Sequence, residues 1–217
     1  MRPRVTLKLA TSLDGRIATA SGESQWITGE AARAEGHRLR ASHDAILVGI
    51  GTALADDPLL TVRHPGLEDR QPVRIVLDSR QRLAPDSRLA LSAHESPVIV
   101  LTVQLPSPAL VRAGVEVIQV HAGHDGRPSM KHVLTQLRGR GLISLLVEGG
   151  GEVAASFLRE AAVDRIEWFR APVLLGAEGR PCVAALTLAK LADAPKFRRL
   201  SAEPVGDDLW ERYDAVR

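Results

Sequence analysis

Three consecutive glycines, Gly149, Gly150 and Gly151, are the clearest candidates for binding an anion. With the three residues that follow they match G-x-G-x-x-A, and they lie between a predicted strand and a predicted helix, the context of phosphate-binding turns. Because glycine carries no side chain, backbone N–H groups at a helix start can approach a phosphate closely. We therefore predict a phosphate-binding turn here; the alternative is a tight turn that binds nothing. A complete Rossmann unit is less expected, because this turn comes late in the chain.

Residues 44–63 form a second candidate, in which an apolar run ends in glycines and polar side chains follow. These side chains are Thr52, Asp56, Asp57 and Arg63. The planar fork of arginine matches phosphate oxygens, so an anionic substrate group is the ligand expected of Arg63. A single G-x-G is a weak signal, and a plain turn is the alternative. Two adjacent aspartates before a proline turn a chain more often than they bind a metal, so no metal is predicted.

Three further residues are candidates with an unremarkable alternative each. Arg40, in a predicted helix, suits an anionic group, although a single arginine often lies on a solvated face. Ser24 and Trp26, in a polar loop, could cover a ring or a cofactor, or could simply pack within the loop. A tryptophan in a polar loop of a protein with only 3% aromatic residues favours a role in ligand binding.

The composition excludes several classes of function. A net charge of +2 on 217 residues gives no strong field, so nucleic-acid binding is not expected. One cysteine rules out a disulfide framework and a cysteine-based metal site within the chain. No apolar run is long enough for a membrane span, and the start of the chain is not a signal peptide, so we expect a cytoplasmic protein without membrane contact. The sequence contains neither a Walker pattern nor G-x-S-x-G.

The elements that must position these residues alternate between strand and helix. We predict strands over 5–11, 44–49, 73–77, 97–102, 115–120, 142–147 and 166–171, helices with their caps over 28–41, 51–56, 106–113, 129–140 and 152–160, and two extended segments within 196–216. This order is typical of an α/β fold with a mostly parallel central sheet flanked by helices, and the last two segments suggest an antiparallel hairpin. Ligands of such sheets bind beyond the carboxyl ends of the strands, where most of the candidates fall.

Six motifs along the chain together resemble one family. They are KLATSLDGRIA, SQWITG, VGIGTALADDPLLTVR, RIVLDS, VEGGGEVAASFL and APVLLG, in that order. They resemble the reductase domain of bacterial riboflavin biosynthesis, 5-amino-6-(5-phosphoribosylamino)uracil reductase, over nearly the whole chain. The resemblance implies a dihydrofolate-reductase-like fold. It also implies that NADPH donates a hydride to the ribosylamino carbon of the substrate and opens the sugar to a ribityl chain.

The resemblance also assigns roles to residues. The nicotinamide would lie near Ala10, Trp26, Thr52 and Asp56, the pyrophosphate on Gly149, Gly150 and Gly151, and the 2′-phosphate near Ser79 or Thr102. The substrate, a phosphorylated ribosylamino-pyrimidine, would contact Ser24, Arg40, Leu60, Arg63 and Glu148, with the two arginines suited to its 5′-phosphate. Asp56 and Glu148 are the candidate proton donors, and the sequence offers no basis for choosing between them. Members of the family are usually homodimers.

One departure and two alternatives complete the prediction. The zinc-deaminase signatures H-x-E and P-C-x-x-C are absent, so we expect residues 1–217 to form a single reductase domain that does not deaminate. A related pterin- or dihydrofolate-type reductase is the alternative enzyme, although a phosphorylated substrate better explains Arg40 and Arg63. A non-catalytic nucleotide-binding protein is the alternative of another class.

Overall fold

The computed structural model describes residues 1–216, in which strands and helices alternate as predicted. The strands are β1 Arg4–Thr11, β2 Arg16–Ala18, β3 Ala45–Gly49, β4 Val73–Leu77, β5 Val98–Thr102, β6 Glu116–Gln119, β7 Ser144–Val147, β8 Arg165–Arg170, β9 Arg180–Pro181, β10 Phe197–Val205 and β11 Asp208–Ala215. The helices are α1 Glu30–Ala41, α2 Ile50–Asp56, α3 Arg88–Leu91, α4 Pro108–Arg112, α5 Met130–Gly139 and α6 Gly151–Arg159, and Leu191–Asp193 forms a 3-10 turn.

The chain divides into two compact units. Unit 1 comprises Met1–Arg4 and Arg38–Leu146, and unit 2 comprises Val5–His37 and the residues from Val147 onward. The predicted single domain stays a prediction. Most buried apolar side chains are aliphatic, as the scarcity of aromatic residues requires, and unit 2 also buries Phe157 and Phe169 completely.

Unit 1 is built on parallel strands. β3 pairs with β4, β4 with β5, and β5 with β6, each in parallel, and β7 is the other neighbour of β3. All five residues of β3 and all five of β5 are buried, as expected of central parallel strands covered on both faces. One core cluster draws Ile46, Val76 and Val100 from these strands and Leu110 from α4.

Unit 2 combines a parallel pair with an antiparallel hairpin. β1 and β8 pair in parallel, β11 runs antiparallel to β8, and β10 runs antiparallel to β11. The two short strands β2 and β9 form a separate antiparallel pair. The α/β class, the mostly parallel sheet and the C-terminal antiparallel hairpin are thereby confirmed.

The elements that the sequence did not predict are all short. They are β2, β9, α3 and the 3-10 turn, with two to four residues each. Segments this short carry too few residues for a periodic pattern, and the conformation of β2 and β9 depends on their pairing with each other. No helix among residues 1–216 is long and apolar enough to cross a membrane.

Candidate functional site

The predicted phosphate-binding turn joins β7 to α6 in the required way. Gly150 precedes the helix with φ 73° and ψ 132°, a conformation that favours glycine strongly. The first intrahelical bond runs from the Ala154 N–H to the Gly150 carbonyl, at 3.1 Å. The N–H groups that precede Ala154 in α6 therefore have no acceptor within the helix, and the helix dipole favours an anion at this end. The chemistry of this turn fits a pyrophosphate.

The need for glycine at position 151 has a different structural cause from the need for glycine at position 150. A Cβ at Gly151 would lie 2.6 Å from the Pro181 carbonyl oxygen and 3.2 Å from the Ala184 nitrogen. The Ala184 N–H also donates to the Gly151 carbonyl, at 3.0 Å. The third glycine therefore allows two segments of backbone to pack closely. A ligand is not needed to explain it.

The residue before the glycines, Glu148, pairs with a lysine from β1. Lys8 Nζ lies 3.9 Å from Glu148 Oε2, and the two side chains are only 18% and 7% exposed. The same ammonium lies 6.0 Å from the centre of the Phe169 ring. An amine and a carboxylate in a partly desolvated position can transfer a proton to or from a bound molecule. Lys8 is absent from the residues predicted by resemblance, although a charged residue that interrupts an apolar strand is a visible signal.

The other unit 2 candidates lie on β1 and in the loop that precedes α1. Ala10 is half-buried and lies opposite Phe169 of β8. The Ser24 carbonyl accepts from the Ile27 N–H at 3.2 Å, which turns the loop. Trp26 is 67% exposed, and the Arg33 guanidinium lies over its ring at 4.7 Å. The indole therefore forms no part of the apolar core, and a cation stacks on it.

In unit 1, α2 brings two of the predicted residues together. Thr52 and Asp56 are four residues apart on this helix and therefore share a face. Although Asp56 as a whole is exposed, desolvation of its carboxyl group raises the pKa above the ordinary value. A carboxyl group that holds its proton more strongly is better suited to donating one near neutral pH.

The neighbouring aspartate has a structural role. Asp57 ends α2 in the left-handed conformation, with φ 36°. Its Oδ1 accepts from the Arg88 N–H at 2.9 Å, at the start of α3. The two adjacent carboxylates therefore serve different purposes. No group of three or more potential metal ligands occurs in the part of the chain that the structure describes.

The predicted substrate residues of unit 1 lie on or beside an irregular segment that follows α2. Leu60 has φ 56° and is only 4% exposed, so its side chain belongs to the core. Arg40 Nη1 donates to the Thr61 carbonyl at 3.1 Å, and Arg63 is exposed. Arg40 therefore contacts the segment that carries Arg63, which the sequence alone did not show.

The ends of β4 and β5 also differ in what they offer a ligand. Thr102 is fully buried; its hydroxyl donates to the Ser79 carbonyl at 3.3 Å and accepts from the Gln104 N–H at 3.2 Å. Asp78 is likewise buried and accepts from the Leu83 N–H at 2.8 Å. Ser79 is half-buried and is the more accessible of the two residues predicted near a 2′-phosphate.

Comparison with known sequences gives one consistent result. A family model described as RibD C-terminal domain matches residues 3–210. The riboflavin biosynthesis protein RibD of Aquifex aeolicus is 39% identical over 98% of this chain, and that of Escherichia coli is 36% identical over 95%. The chain covers 58% of each of these relatives, so it spans little more than half of their length.

Comparison with solved structures agrees. Acinetobacter baumannii RibD superposes with a TM-score of 0.88 at 31% identity, over 99% of this chain and 58% of that one. A Thermotoga maritima protein described as a diaminohydroxyphosphoribosylaminopyrimidine deaminase/5-amino-6-(5-phosphoribosylamino)uracil reductase gives 0.83 at 31%, over 99% and 57%. The Saccharomyces cerevisiae riboflavin biosynthesis reductase Rib7 gives 0.78 at 22%, over 99% and 90%, which is a likeness of fold.

Proposed function

This chain belongs to the RibD C-terminal domain family, and from that membership we propose that it is a reductase of riboflavin biosynthesis. The proposed reaction is the NADPH-dependent reduction of the ribosyl group of 5-amino-6-(5-phosphoribosylamino)uracil to a ribityl chain. The name of the Thermotoga maritima structure, which is 31% identical, supports this choice of substrate. NADPH rather than NADH and a homodimeric assembly are part of the proposal. The cytoplasmic location stays a prediction.

The structural observation that best supports the proposal is the Lys8–Glu148 pair. Its carboxylate lies directly before the glycine turn of α6, so a proton-transferring pair adjoins a turn whose chemistry suits a dinucleotide phosphate. Reduction of a carbon–nitrogen or carbon–oxygen double bond needs both parts: a bound hydride donor and a group that supplies one proton. NADPH, when bound, supplies the hydride that adds to C1′ of the substrate.

The side chains then have separable roles. Where the open-chain substrate reacts as an imine, its nitrogen takes up one proton as the hydride adds to C1′. Lys8 is proposed as the donor of that proton, and Glu148 as the carboxylate that orients the ammonium. Asp56 remains the alternative donor because its pKa is raised by desolvation. The structure thus adds Lys8 to Asp56 and Glu148 as a candidate proton donor.

Binding is assigned to groups that suit phosphates. Gly149, Gly150 and the first turn of α6 are proposed to bind the pyrophosphate of the cofactor. Arg40 and Arg63 are proposed to bind the 5′-phosphate of the substrate, because a guanidinium can offer two parallel hydrogen bonds. The other residue assignments made by resemblance stay predictions.

A spectrophotometric assay tests the proposal. Purified protein is mixed with NADPH and 5-amino-6-(5-phosphoribosylamino)uracil, and oxidation is followed by loss of the NADPH absorbance. The expected result is NADPH consumption with this substrate and none with dihydrofolate, with the ribityl product identified by mass. Consumption with dihydrofolate alone would favour the pterin-type reductase. Binding of NADPH without turnover of either substrate would contradict a reductase function.

A further inference from the structure

Arg74 is a charged residue in the middle of the buried parallel strands of unit 1. It lies on β4, in register with Ile46 of β3 and Val98 of β5, and its exposure is 0%. Its guanidinium reaches two separate segments. Nη1 donates to the Leu59 carbonyl at 3.0 Å and to Ser92 Oγ at 2.7 Å, and Nη2 donates to the carbonyls of Ser92, at 2.9 Å, and Ser96.

This position carries an energetic cost that the hydrogen bonds only partly offset. The four acceptors are uncharged, and Arg74 Nε is buried without a hydrogen-bond partner. Desolvation lowers the pKa of Arg74, partly offset by the charge of Glu95. Well-packed apolar residues often replace buried ions without loss of stability. What distinguishes arginine here is its planar fork, which can hold two segments in a defined geometry.

One of those segments is the irregular stretch that carries the proposed substrate residues. The Leu59 carbonyl that Arg74 binds belongs to the residue before Leu60. Leu60 has φ 56°, which is unfavourable for a residue with a Cβ, and yet it is buried in the core. Such a conformation persists only where surrounding contacts over-determine it. The bond from Arg74 is one of those contacts.

Two more side chains bind the backbone immediately beyond. Arg40 Nη1 donates to the Thr61 carbonyl. The Gln71 amide binds both sides of Val62: its Oε1 accepts from the N–H at 2.9 Å, and its Nε2 donates to the carbonyl at 3.0 Å. The segment therefore has side-chain partners in place of a neighbouring strand, and Arg63 is the next residue.

We propose that Arg74 is a positioning residue for substrate binding. Its guanidinium fixes the Leu59 carbonyl against Ser92 and Ser96, which holds Leu60 in the left-handed conformation and sets the direction in which Arg63 leaves the core. The inference rests on the proposed function in one respect, namely that Arg40 and Arg63 bind the phosphate of the substrate. The fixing of the segment itself does not depend on that function.

The first test is steady-state kinetics of Arg74→Lys and Arg74→Met. Both variants lose the fork, and Met also removes the buried charge. We expect the KM for the phosphorylated substrate to rise by up to about 10²-fold, with kcat and the KM for NADPH changed less than about threefold, because a misplaced Arg63 loses charge-assisted hydrogen bonds to the phosphate that are equally strong before and during the reaction. An unchanged substrate KM in both variants would overturn the proposal.

Two control variants separate positioning from general destabilisation. Val76→Ala creates a cavity in the same buried strand, so it should lower Tm without changing the KM. Val100→Ala creates a comparable cavity in the neighbouring strand β5, so it too should lower Tm and leave the KM near that of the wild type. A rise in substrate KM in Val76→Ala equal to that in Arg74→Lys would contradict a specific role of Arg74.

Hydrogen exchange makes the test independent of the reaction. The Val62 N–H is bonded to Gln71, so its exchange rate reports the order of the segment. We expect the Val62 N–H to exchange faster in Arg74→Lys than in Val76→Ala when each variant is measured at the same number of degrees below its own Tm. Equal exchange in the two variants would overturn the proposal even if the wild-type protein is an active reductase. Faster exchange at Val62 in Arg74→Lys, found in a protein without reductase activity, would support the fixing of the segment by Arg74. The missing activity would then contradict the proposed function separately.

Discussion

Lys8 and Glu148 meet although 140 positions separate them in the chain, with Nζ 3.9 Å from Oε2. Lys8 comes from the middle of β1, and Glu148 follows the last residue of β7. Both side chains are largely withdrawn from solvent, so the interaction is screened less than a surface ion pair. The ammonium of Lys8 and the carboxylate of Glu148 therefore form a charge pair that only the folded chain brings together.

The first prediction concerns this pair. Lys8→Met removes the proposed proton donor, so kcat should fall by about 10²- to 10⁴-fold, the usual contribution of general acid catalysis. Glu148→Gln keeps the amine of Lys8, so its kcat should fall less than that of Lys8→Met. Lys8→Arg preserves the charge but holds its proton too strongly to donate it, so it should not restore kcat. Measurements of kcat across pH for these variants would decide whether Lys8 donates the proton. A kcat in Lys8→Met equal to that of the wild type would assign proton donation elsewhere.

The second prediction concerns Asp56, whose pKa is raised by desolvation. The folded state binds this proton more tightly than the unfolded state, so stability falls as pH rises from the unfolded pKa through the folded one. At neutral pH Asp56→Asn should therefore raise Tm, and the gain should disappear below pH 3.8. Thermal unfolding at several pH values measures it.

Measurements of kcat show whether Asp56 is retained for function although its carboxylate lowers stability at neutral pH. A variant that gains stability and loses kcat would indicate an acid retained for function, in line with the common trade-off between stability and activity. A lower Tm in Asp56→Asn at neutral pH would contradict the direction of the shift.

The third prediction concerns Asp14, whose pKa is lowered, in contrast to that of Asp56. The Ser12 hydroxyl donates to its carboxylate at 2.6 Å, and the N–H groups of Leu175 and Gly176 add two further bonds. These bonds lower its pKa to about 2. The stabilisation is complete above the unfolded pKa of 3.8 and is lost as pH falls toward 2.

Asp14→Asn should accordingly lower Tm at pH 7, and the difference from the wild type should narrow below pH 4. Ser12→Ala, which removes the largest cause of the shift, should produce a smaller change in the same direction. Circular dichroism melts across this pH range provide the measurement. A constant difference in Tm at every pH would show that the variant acts through packing and not through charge.

The fourth prediction compares two glycines from the two glycine-containing motifs. Gly51 lies inside α2, and a Cβ there would meet nothing within 4 Å. Gly51→Ala should raise the free energy of unfolding by about 0.5–1 kcal/mol, because alanine loses less backbone entropy in a helix. Gly151→Ala should lower it by about 1–3 kcal/mol, because its Cβ would meet backbone atoms of Pro181 and Ala184 that cannot move away.

Chemical denaturation of the two variants measures both changes on one scale. Equal effects would show that open space and close backbone contact do not distinguish these sites. Comparing the unfolding of Gly151→Ala with and without NADPH provides a further check. A packing role for Gly151 predicts a loss of stability even when no cofactor is bound.

Much of the fold followed from local patterns. Apolar runs predicted the buried parallel strands β3, β4, β5 and β7, since a strand buried on both faces needs four or more consecutive apolar residues. β3, for example, was expected to end at Gly49 and does. The glycine turn after β7 and the hairpin of β10 and β11 were also visible, because turn residues and extended segments are properties of neighbouring residues.

The site was predictable only in part. Resemblance drew attention to Glu148, Arg40 and Asp56, but it could not show that Glu148 pairs with Lys8 or that Arg40 binds the Thr61 carbonyl. Nothing in the string VRIVL distinguishes Arg74 from a solvated arginine. Its burial follows from strands on both sides, which come together only in the folded chain.

The sequence by itself therefore determined the order of strands and helices, the glycine turns and the family, because each depends on residues that are neighbours in the chain. Only the tertiary structure decided which charges are buried and which partners they have. Desolvation depends on every atom around a group, and those atoms come from distant segments. The same glycine-rich motif thus contains Gly150, which its backbone conformation explains, and Gly151, which only the approach of Pro181 and Ala184 explains.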